Sequence, residues 1–487
     1  ADAFPEHEEA PVVLGAAADD LYEMKDFERA IASARKLVDR YPASDRELRR
    51  SAWAVVAHSS IDIAQYQDAE FAYSNVLQLT PEDDESRQAI IDGLAASIYK
   101  QAEQANLLED YRAAAGHFLR IKSVAPTSNI RSGAEYDAAA AFMKLEDWAM
   151  ASTVLEEFRV SHPDHDLSAD ATKQLAFIYR KDGQTSRSAA EHERIAAEAT
   201  DPELAREALL TAAELYDEVR VVEDAIRVYE QYVDSYPRPL DIAMETRQRL
   251  SEIYHEQMDY QRFFDELNEM VEEDRNAGED RTDRSRFLAA KAALVLAERD
   301  YKAFARLELT QPFEESLAIK QDSMDATLAG LEALVNYQVA EVTAAATFYI
   351  AEVYMNFSVA MVESERPEGL TDQEMISYEM VIEEEAYPFE EQAIAVHEEN
   401  FELLAAGVYN PWVQKSLDSL AGLMPGRYAK NETSEGFIGT VEVYAYRMPI
   451  APPEPVDGED GPDVSKTSPS DESGRRVVVS SNQEASQ

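Results

Sequence analysis

The stretch DAIRVYEQYVDSYP, residues 224–237, sets a small residue and two aromatic residues at fixed offsets before a terminal proline. Ala225, Tyr229 and Tyr232 are four and three residues apart, so they share one face of an α-helix. The proline cannot continue a helix interior, so the helix ends close to it. The same layout recurs in DAEFAYSNVLQLTP, residues 68–81, which predicts a repeated helical unit.

An alanine followed by a proline twelve positions later marks each copy of this unit. The pairs are Ala30 and Pro42, Ala69 and Pro81, Ala114 and Pro126, Ala151 and Pro163, Ala190 and Pro202, and Ala225 and Pro237. Successive prolines are separated by 39, 45, 37, 39 and 35 residues. A period of this size, made of two helices and a turn, is typical of a helical solenoid.

Each unit is expected to pair a first helix with a second one. In the second unit, Trp53 and Ala57 lie at helical spacing on the first helix, and Ala69 and Tyr73 on the second. The alanines let the two helices approach closely, and the aromatic rings fill the space beside the next unit. Two units depart from the pattern. QANLLED in the third predicts a longer turn, and the fifth carries Arg194 where an aromatic residue is expected.

This arrangement resembles the tetratricopeptide repeat, a unit of about 34 residues with a Trp or Leu, a small residue, Tyr, Ala, an aromatic residue and Pro in order. The matching residues are Trp53, Ala57, Ala69, Tyr73 and Pro81 in the second unit and Leu209, Ala213, Tyr216, Ala225, Tyr229 and Pro237 in the sixth. The resemblance implies an all-α fold, a right-handed α-solenoid of helix hairpins.

Composition along the chain predicts five regions. These are a lead-in at 1–10, the solenoid at 11–284 with six clear units to 237 and a degenerate one after it, degenerate repeats and an all-helical closing domain at 285–430, an extended segment at 431–450, and a tail at 451–487. TVEVYAY at 440–446 alternates as a short strand would. The tail is rich in Pro and acidic residues, and such a composition predicts disorder.

Prolines and a turn sequence predict the helix boundaries of the closing domain. Pro388 is expected to open a long helix, and GVYNP to turn the chain into a second helix from Pro411. HEENFELLAAGVYNPWVQKSL, residues 397–417, looks like the carboxy-terminal part of bacterial envelope repeat proteins that accompany ExbB/TonB-like or gliding machinery. That resemblance implies the bacterial cell envelope, in the periplasm, with the cytoplasm as the alternative. The start at Ala1 suggests a processed form or a piece of a longer chain.

The charge of the chain narrows the classes of partner. With 96 acidic and 45 basic residues the net charge is −51, so nucleic acid and anionic membrane surfaces are unfavourable partners. No cysteine is present, which excludes disulfides and thiolate chemistry. No run approaches a membrane-spanning length, KAALVLAERDY near 295 being the nearest, so direct membrane insertion is not expected.

Motifs that carry chemistry are not found in this sequence. His162 and His165 lie in SHPDHD, which lacks a third well-spaced metal ligand, and the pairs beginning at His192 and His397 lack the second histidine of a zincin helix. We therefore predict no cofactor, no metal and no enzymatic activity. An enzyme with an unrecognised site in 285–430 remains the alternative of a different class, and a structure without a buried polar cluster there would exclude it.

The surface is then the expected functional feature, because first helices line the groove of such a solenoid. The residues expected to face the groove are Asp19, Tyr22, Glu23, His58, Asp62, Tyr136, Met143, Lys144, Glu214, Asp217 and Glu218. Aromatic and Met side chains suit a protein or peptide, and the carboxylates suit a basic one. The predicted function is a non-enzymatic scaffold, with a cytosolic adaptor or co-chaperone as the alternative. The oligomeric state stays open.

Overall fold

The computed structural model describes residues 6–404 and 407–429. Residues Ala1–Met424 form one compact unit, and Pro425–Gln487 are assigned to a second. Of the second unit, only a short helix and the residue after it are described. TVEVYAY and the Pro-rich tail, with the strand and the disorder predicted for them, lie outside the described residues. Within the described ranges the chain is helical and has no β-strand, as the sequence predicts.

Seven helix hairpins follow one another from the amino terminus. They are α1 (Ala10–Glu23) with α2 (Phe27–Arg40), α3 (Arg46–Asp62) with α4 (Tyr66–Leu79), α5 (Arg87–Leu107) with α6 (Tyr111–Val124), α7 (Arg131–Lys144) with α8 (Trp148–Ser161), α9 (Ser168–Lys181) with α10 (Thr185–Glu198), α11 (Pro202–Glu218) with α12 (Val222–Ser235), and α13 (Leu240–Glu256) with α14 (Tyr260–Asn276). The solenoid predicted from the repeats is thus confirmed, and the degenerate seventh unit is a hairpin like the others.

Four long helices and one of 13 residues complete the first unit after a single 3-10 turn at Gly278–Asp280. They are α15 (Asp283–Ala305), α16 (Phe313–Val335), α17 (Ala340–Val362), α18 (Asp372–Glu402) and α19 (Pro411–Leu423). The described part of the second unit contains α20 (Pro425–Tyr428). No described feature separates residues 11–284 from the helices that follow as an independent unit, and the boundary predicted at 284 stays a prediction.

All seven hairpins reverse through the same turn. Its middle residue adopts the left-handed conformation, and the next backbone N–H donates to the carbonyl five residues earlier, as in Asp26 to Leu21 at 2.9 Å and Val221 to Tyr216 at 3.0 Å. This is the Schellman arrangement that ends many helices. The left-handed residues are Lys25, Ala64, Glu109, Glu146, Gly183, Arg220 and Met258, with φ between 56° and 75°.

The turn fixes which residue meets the first helix. The fifth residue after the left-handed one is alanine in five of the first six units, serine in the fifth, and buried in each; these residues are Ala30, Ala69, Ala114, Ala151, Ser188 and Ala225. A small side chain there lets the helices of a hairpin pack closely. In the opening stretch, Tyr229 and Tyr232 are buried on the same helix face, which confirms their predicted place in the core.

The structure corrects the register of the fifth unit. Counting from Gly183, the residue equivalent to Ala225 is Ser188, whereas Ala190 is exposed. Pro202 does not end a second helix but stands at the first position of α11, where a proline has no backbone bond to lose. The residue at the aromatic position is therefore His192, and the exposed Arg194 belongs to a different face.

The third unit also differs from its prediction. QANLLED does not lengthen the turn, because α5 continues through Leu107 and the chain reverses in the usual three residues around Glu109. The additional residues extend the helix instead, to 21 residues.

Pro388 lies inside α18 and does not open a helix. The helix begins earlier, at a capping box in which Thr371 and Glu374 exchange hydrogen bonds. The proline removes one backbone hydrogen bond, which packing against α17 offsets; the ring of Phe389 lies 4.6 Å from that of Phe357. The second helix does begin at Pro411, where Asn410 accepts from the N–H groups of Trp412 and Val413.

The apolar helix α17 was not anticipated. By length and composition alone it is a candidate membrane span, which corrects the expectation that no run approaches this length. In the structure it lies within the core of the closing helices, with Val342, Val353 and Phe357 fully buried. A core helix passes the same composition test, although only 39% of the apolar window of α17 is buried inside the structure.

Two glycine-to-alanine substitutions should have opposite effects on stability. Gly183 occupies the left-handed turn at φ 75°, where alanine is strained, so Gly183→Ala should destabilise the protein by about 1 kcal/mol. Gly116 lies exposed inside α6 with open space around it, so Gly116→Ala should stabilise by roughly 0.5–1 kcal/mol. Urea unfolding midpoints check the pair, and equal shifts would contradict the turn assignment.

Candidate functional site: the first-helix face

The exposed side of α1, α3, α5, α7, α9, α11 and α13 is named here the first-helix face. The structure places all eleven predicted groove residues on it, in α1, α3, α7 and α11, and each is partly or fully exposed. Side-chain contacts join successive first helices along this face. Binding by these residues stays a prediction, and their neighbours show which of them are available.

At the amino-terminal end the face carries an aromatic cluster. The Tyr22 ring lies 6.1 Å from His58, which stacks edge-on against Tyr73 at 5.7 Å. Burial lowers the pKa of His58, although Asp62 opposes this, so the imidazole is neutral at pH 7. Desolvation, then Asp20 and Glu23, raise the pKa of the predicted groove residue Asp19. This end therefore combines neutral rings with clustered carboxylates.

In the middle of the face, tyrosines link one first helix to the next. Tyr99 of α5 donates a hydrogen bond to Asp137 of α7, and Tyr136 of α7 donates to Asp170 of α9. Tyr136 is a predicted groove residue, and its hydroxyl is therefore engaged in contacts between units. Met143 is half-buried and Lys144 is exposed beside it.

The predicted carboxylates of α11 are not equivalent. Asp217 accepts two hydrogen bonds from Arg249 of α13, at 2.7 and 3.0 Å, and Glu218 pairs with Arg180 of α9 at 2.8 and 3.0 Å. Both join neighbouring units. Among the described residues Glu214 has no ion pair, and desolvation raises its pKa.

Because the predicted register of the fifth unit was wrong, the residues that α9 contributes to the first-helix face were not predicted. With the register corrected, α9 contributes Lys173, Phe177, Arg180 and Lys181, all exposed. Phe177 stacks edge-on against Trp148 at 6.1 Å and is 47% exposed. The dipeptide Asp182-Gly183 was the available signal, because it is a strong turn sequence.

A cleft opens in the first-helix face between α9 and α11. Its volume is about 430 Å³, and α10 forms its floor. Ala176, Ile195 and Ala208 make a small apolar cluster at the bottom, separate from the larger cores on either side. Phe177 and His192 also line it, and burial lowers the pKa of His192, which leaves that ring uncharged at neutral pH.

The histidines of SHPDHD bind within the solenoid. His162 Nε2 lies 3.2 Å from the carboxylate of Glu135, and His165 Nε2 lies 3.0 Å from the hydroxyl of Ser132. Both partners belong to α7, so the loop after α8 is held against the first helix of its own unit. No cluster of three or more potential metal ligands occurs among the described residues.

The closing helices do contain a buried polar cluster, so the condition set for excluding an enzyme there is not met. His397 Nδ1 lies 3.2 Å from Ser416 Oγ, and His397 Nε2 lies 3.6 Å from the Glu352 carboxylate. The side-chain amide of Asn400 donates to Ser416 Oγ at 2.8 Å and to the carbonyl of Ala344 at 3.0 Å. These bonds join α17, α18 and α19 with no exposure of Ser416, His397 or Asn400.

The comparisons with known proteins agree with the repeat assignment. The tetratricopeptide repeat family model matches residues 17–44 and 207–238, in the first and sixth units. No curated protein matches the sequence. The chain therefore contains tetratricopeptide repeats, which are typical of protein-interaction scaffolds.

Solved structures similar to the chain share low identity with it. PilW, a widely conserved type IV pilus biogenesis factor, is 15% identical over 48% of this chain and 96% of its own, with a TM-score of 0.22. YrrB, a tetratricopeptide repeat protein with an unusual peptide-binding site, is 15% identical over 42% and 95%, with a TM-score of 0.24. A repeat protein from Parabacteroides merdae is 10% identical over 63% and 98%, also with a TM-score of 0.24.

Two neighbouring carboxylates should differ in their effect on stability. Asp217→Asn removes the charge that two bonds from the partly buried Arg249 require, and should destabilise by about 1–2 kcal/mol. Glu214→Gln should raise stability slightly at pH 7, because the raised pKa shows that folding disfavours the charged form. Well below the unfolded pKa near 4.5, glutamate is protonated in both states, and the advantage of glutamine should disappear.

Thermal melts at pH 7 and at lower pH compare the two variants with the parent protein. An Asp217→Asn protein that melted at the same temperature as the parent would contradict the role of this ion pair between units. A Glu214→Gln advantage that persisted in acid would contradict the desolvation of that carboxylate.

Proposed function

We propose that the chain is a non-enzymatic scaffold that holds a partner protein or peptide on its first-helix face. The observation that carries this proposal is the cleft between α9 and α11. An exposed phenylalanine, Phe177, stands beside an apolar floor there, and the cleft is large enough for a side chain of a partner. A contiguous apolar patch rimmed by polar residues, unlike a single exposed apolar side chain, is typical of an interaction site.

The rim of the cleft favours a peptide over a small apolar compound. Lys173 and Arg180 of α9 and Glu207 and Thr211 of α11 line it, which supplies donors and acceptors on both sides of the apolar floor. An apolar side chain of the partner would enter the cleft, while polar groups of its main chain meet these residues. The neutral imidazole of His192 adds no charge to the floor.

The charge of the partner is a separate part of the proposal. The sequence favours a basic partner, and exposed carboxylates such as Asp19, Glu23, Asp62 and Glu214 support this at both ends of the face. Asp217 and Glu218 support it less, since arginines of neighbouring units already neutralise them. A basic partner would therefore meet the carboxylates of α1 and α3 most directly.

The absence of enzymatic activity is proposed on the burial of the polar cluster. Ser416, His397 and Glu352 have the residue types of a nucleophile, a base and an acid. Yet Ser416 Oγ already accepts a hydrogen bond from Asn400. Ser416, His397 and Asn400 have no exposed surface that a substrate could reach. A network that joins three helices is a sufficient role for these groups.

Placement in the bacterial cell envelope, in the periplasm, is also proposed, on the resemblance of residues 397–417 and the lack of cysteine. Fractionation of cells that express the chain from its native gene tests it. Recovery with periplasmic markers would support the envelope, and recovery with cytosolic markers would favour an adaptor or co-chaperone.

Photo-crosslinking from two exposed phenylalanine positions tests the binding face. A photoreactive phenylalanine analogue at 177 reports on the first-helix face, and the same analogue at 71 is the matched control, because Phe71 is 60% exposed on the second helix α4. We expect a partner to be crosslinked from position 177 and not from 71. Crosslinks from 71 alone would place binding on the opposite helices and overturn the proposal.

A further inference from the structure

A second cleft lies where the seventh hairpin meets α15. Its volume is about 560 Å³. One side is aromatic, formed by His255, Phe263 and Phe264 of the hairpin α13–α14, and the other is the carboxy-terminal half of α15. The cleft is separate from the one between α9 and α11 and shares no residue with it.

The residue at the small-residue position of the seventh hairpin is changed. The fifth residue after the left-handed Met258 is Phe263, where the preceding six units have alanine or serine. The Phe263 ring is partly exposed, lies 5.1 Å from His255 and 5.0 Å from Phe264, and contributes to the aromatic side of the cleft.

The α15 side of the cleft is cationic. Arg299, Lys302 and Arg306 are three and four residues apart, so they lie on one face of the helix, and all three are exposed. Glu298 is the carboxylate that lines the cleft with them. A positive surface is uncommon in a chain with a net charge of −51.

These cations are only weakly neutralised. Arg299 pairs with the adjacent Asp300 at 3.1 Å, and Lys302 is 4.0 Å from Glu298, at the limit of an ion pair. Arg306 has no ion pair among the described residues. The Arg299 guanidinium also stacks over the Phe264 ring, 4.8 Å from its centre, which joins the cationic and aromatic sides. By contrast, Arg180 and Arg249 on earlier units are paired with carboxylates of neighbouring helices.

We propose that this cleft binds an acidic peptide segment that carries one large apolar side chain. The aromatic side takes the apolar side chain, and the cations of α15 take carboxylates before and after it in the peptide. Attraction acts within the cleft, whereas repulsion from distant carboxylates of the chain is screened beyond about 8 Å at physiological salt. The inference goes beyond the proposed function, since this cleft is lined mainly by α14 and α15 and takes a ligand of its own.

Cations near the end of α15 also interact favourably with the helix dipole. That role affects folding stability and does not distinguish an acidic ligand from a basic one. Binding and stability are therefore measured on the same variants, and the two roles give different results.

The probe is a fluorescein-labelled peptide with one phenylalanine flanked on both sides by glutamates, titrated with the whole chain at about 0.15 M salt and followed by fluorescence anisotropy. Arg306→Glu should weaken its binding by about tenfold or more, since it replaces an attraction with a repulsion. Arg306→Lys should retain binding to within about threefold. Arg112→Glu is the matched control, because it makes the same charge change at an exposed position of α6 and should leave affinity unchanged.

Two further peptides test the two halves of the recognition. Replacing phenylalanine with alanine in the probe should weaken binding through loss of the aromatic contact. Replacing the glutamates with lysines should abolish binding that depends on Arg306. Thermal melts confirm that each variant is folded at the temperature of the titration.

Equal affinity of Arg306→Glu and the parent protein for the acidic probe would overturn the inference, as would a failure of the parent to bind it. If either of these results were obtained while position 177 still crosslinked a partner, the proposed function would remain supported. Loss of crosslinking from position 177 would count against the proposed function, and loss of acidic-probe binding would count against this inference.

Discussion

The close approach of two helices across a left-handed turn is the constraint on which the solenoid depends. In each of the seven hairpins the chain leaves the first helix by a Schellman turn and enters the second at once. The turn leaves no freedom in how the second helix begins, so the fifth residue after the left-handed one always faces the first helix. Where that residue is alanine or serine, the two helices pack closely, and the next hairpin can pack against them in the same way.

The two clefts are local departures from this constraint. In the fifth unit, Ser188 keeps the close approach, but the aromatic position is taken by His192, which fills less of the space beside α11. In the seventh, Phe263 takes the small-residue position and lines the cleft. The protein thus has open apolar surface at positions where the repeat pattern is weakest. Both proposed binding surfaces therefore lie beside departures from the repeat pattern.

The same constraint explains what the sequence could and could not predict. Six hairpins followed from alanine, aromatic and proline spacing, because those residues act within one unit. The fifth register was wrong because Pro202 begins a helix, while proline was taken to end one. The contribution of α9 to the candidate site was lost with it. Contacts between distant residues, such as the Ser416, His397 and Asn400 cluster, leave no local pattern and could not be predicted.

The distribution of arginine connects packing with recognition. Within the repeats, Arg159, Arg180, Arg227 and Arg249 bind carboxylates of neighbouring helices, mostly through two hydrogen bonds each. The planar guanidinium suits such paired contacts, so an acidic chain can hold its units together with few cations. Cations that do not pair with a neighbouring helix are therefore candidates for binding a ligand. Among the described residues, the only ion pairs of Arg299 and Lys302 are with carboxylates of α15 itself and Arg306 has none, so a ligand that brings its own carboxylates is the natural complement.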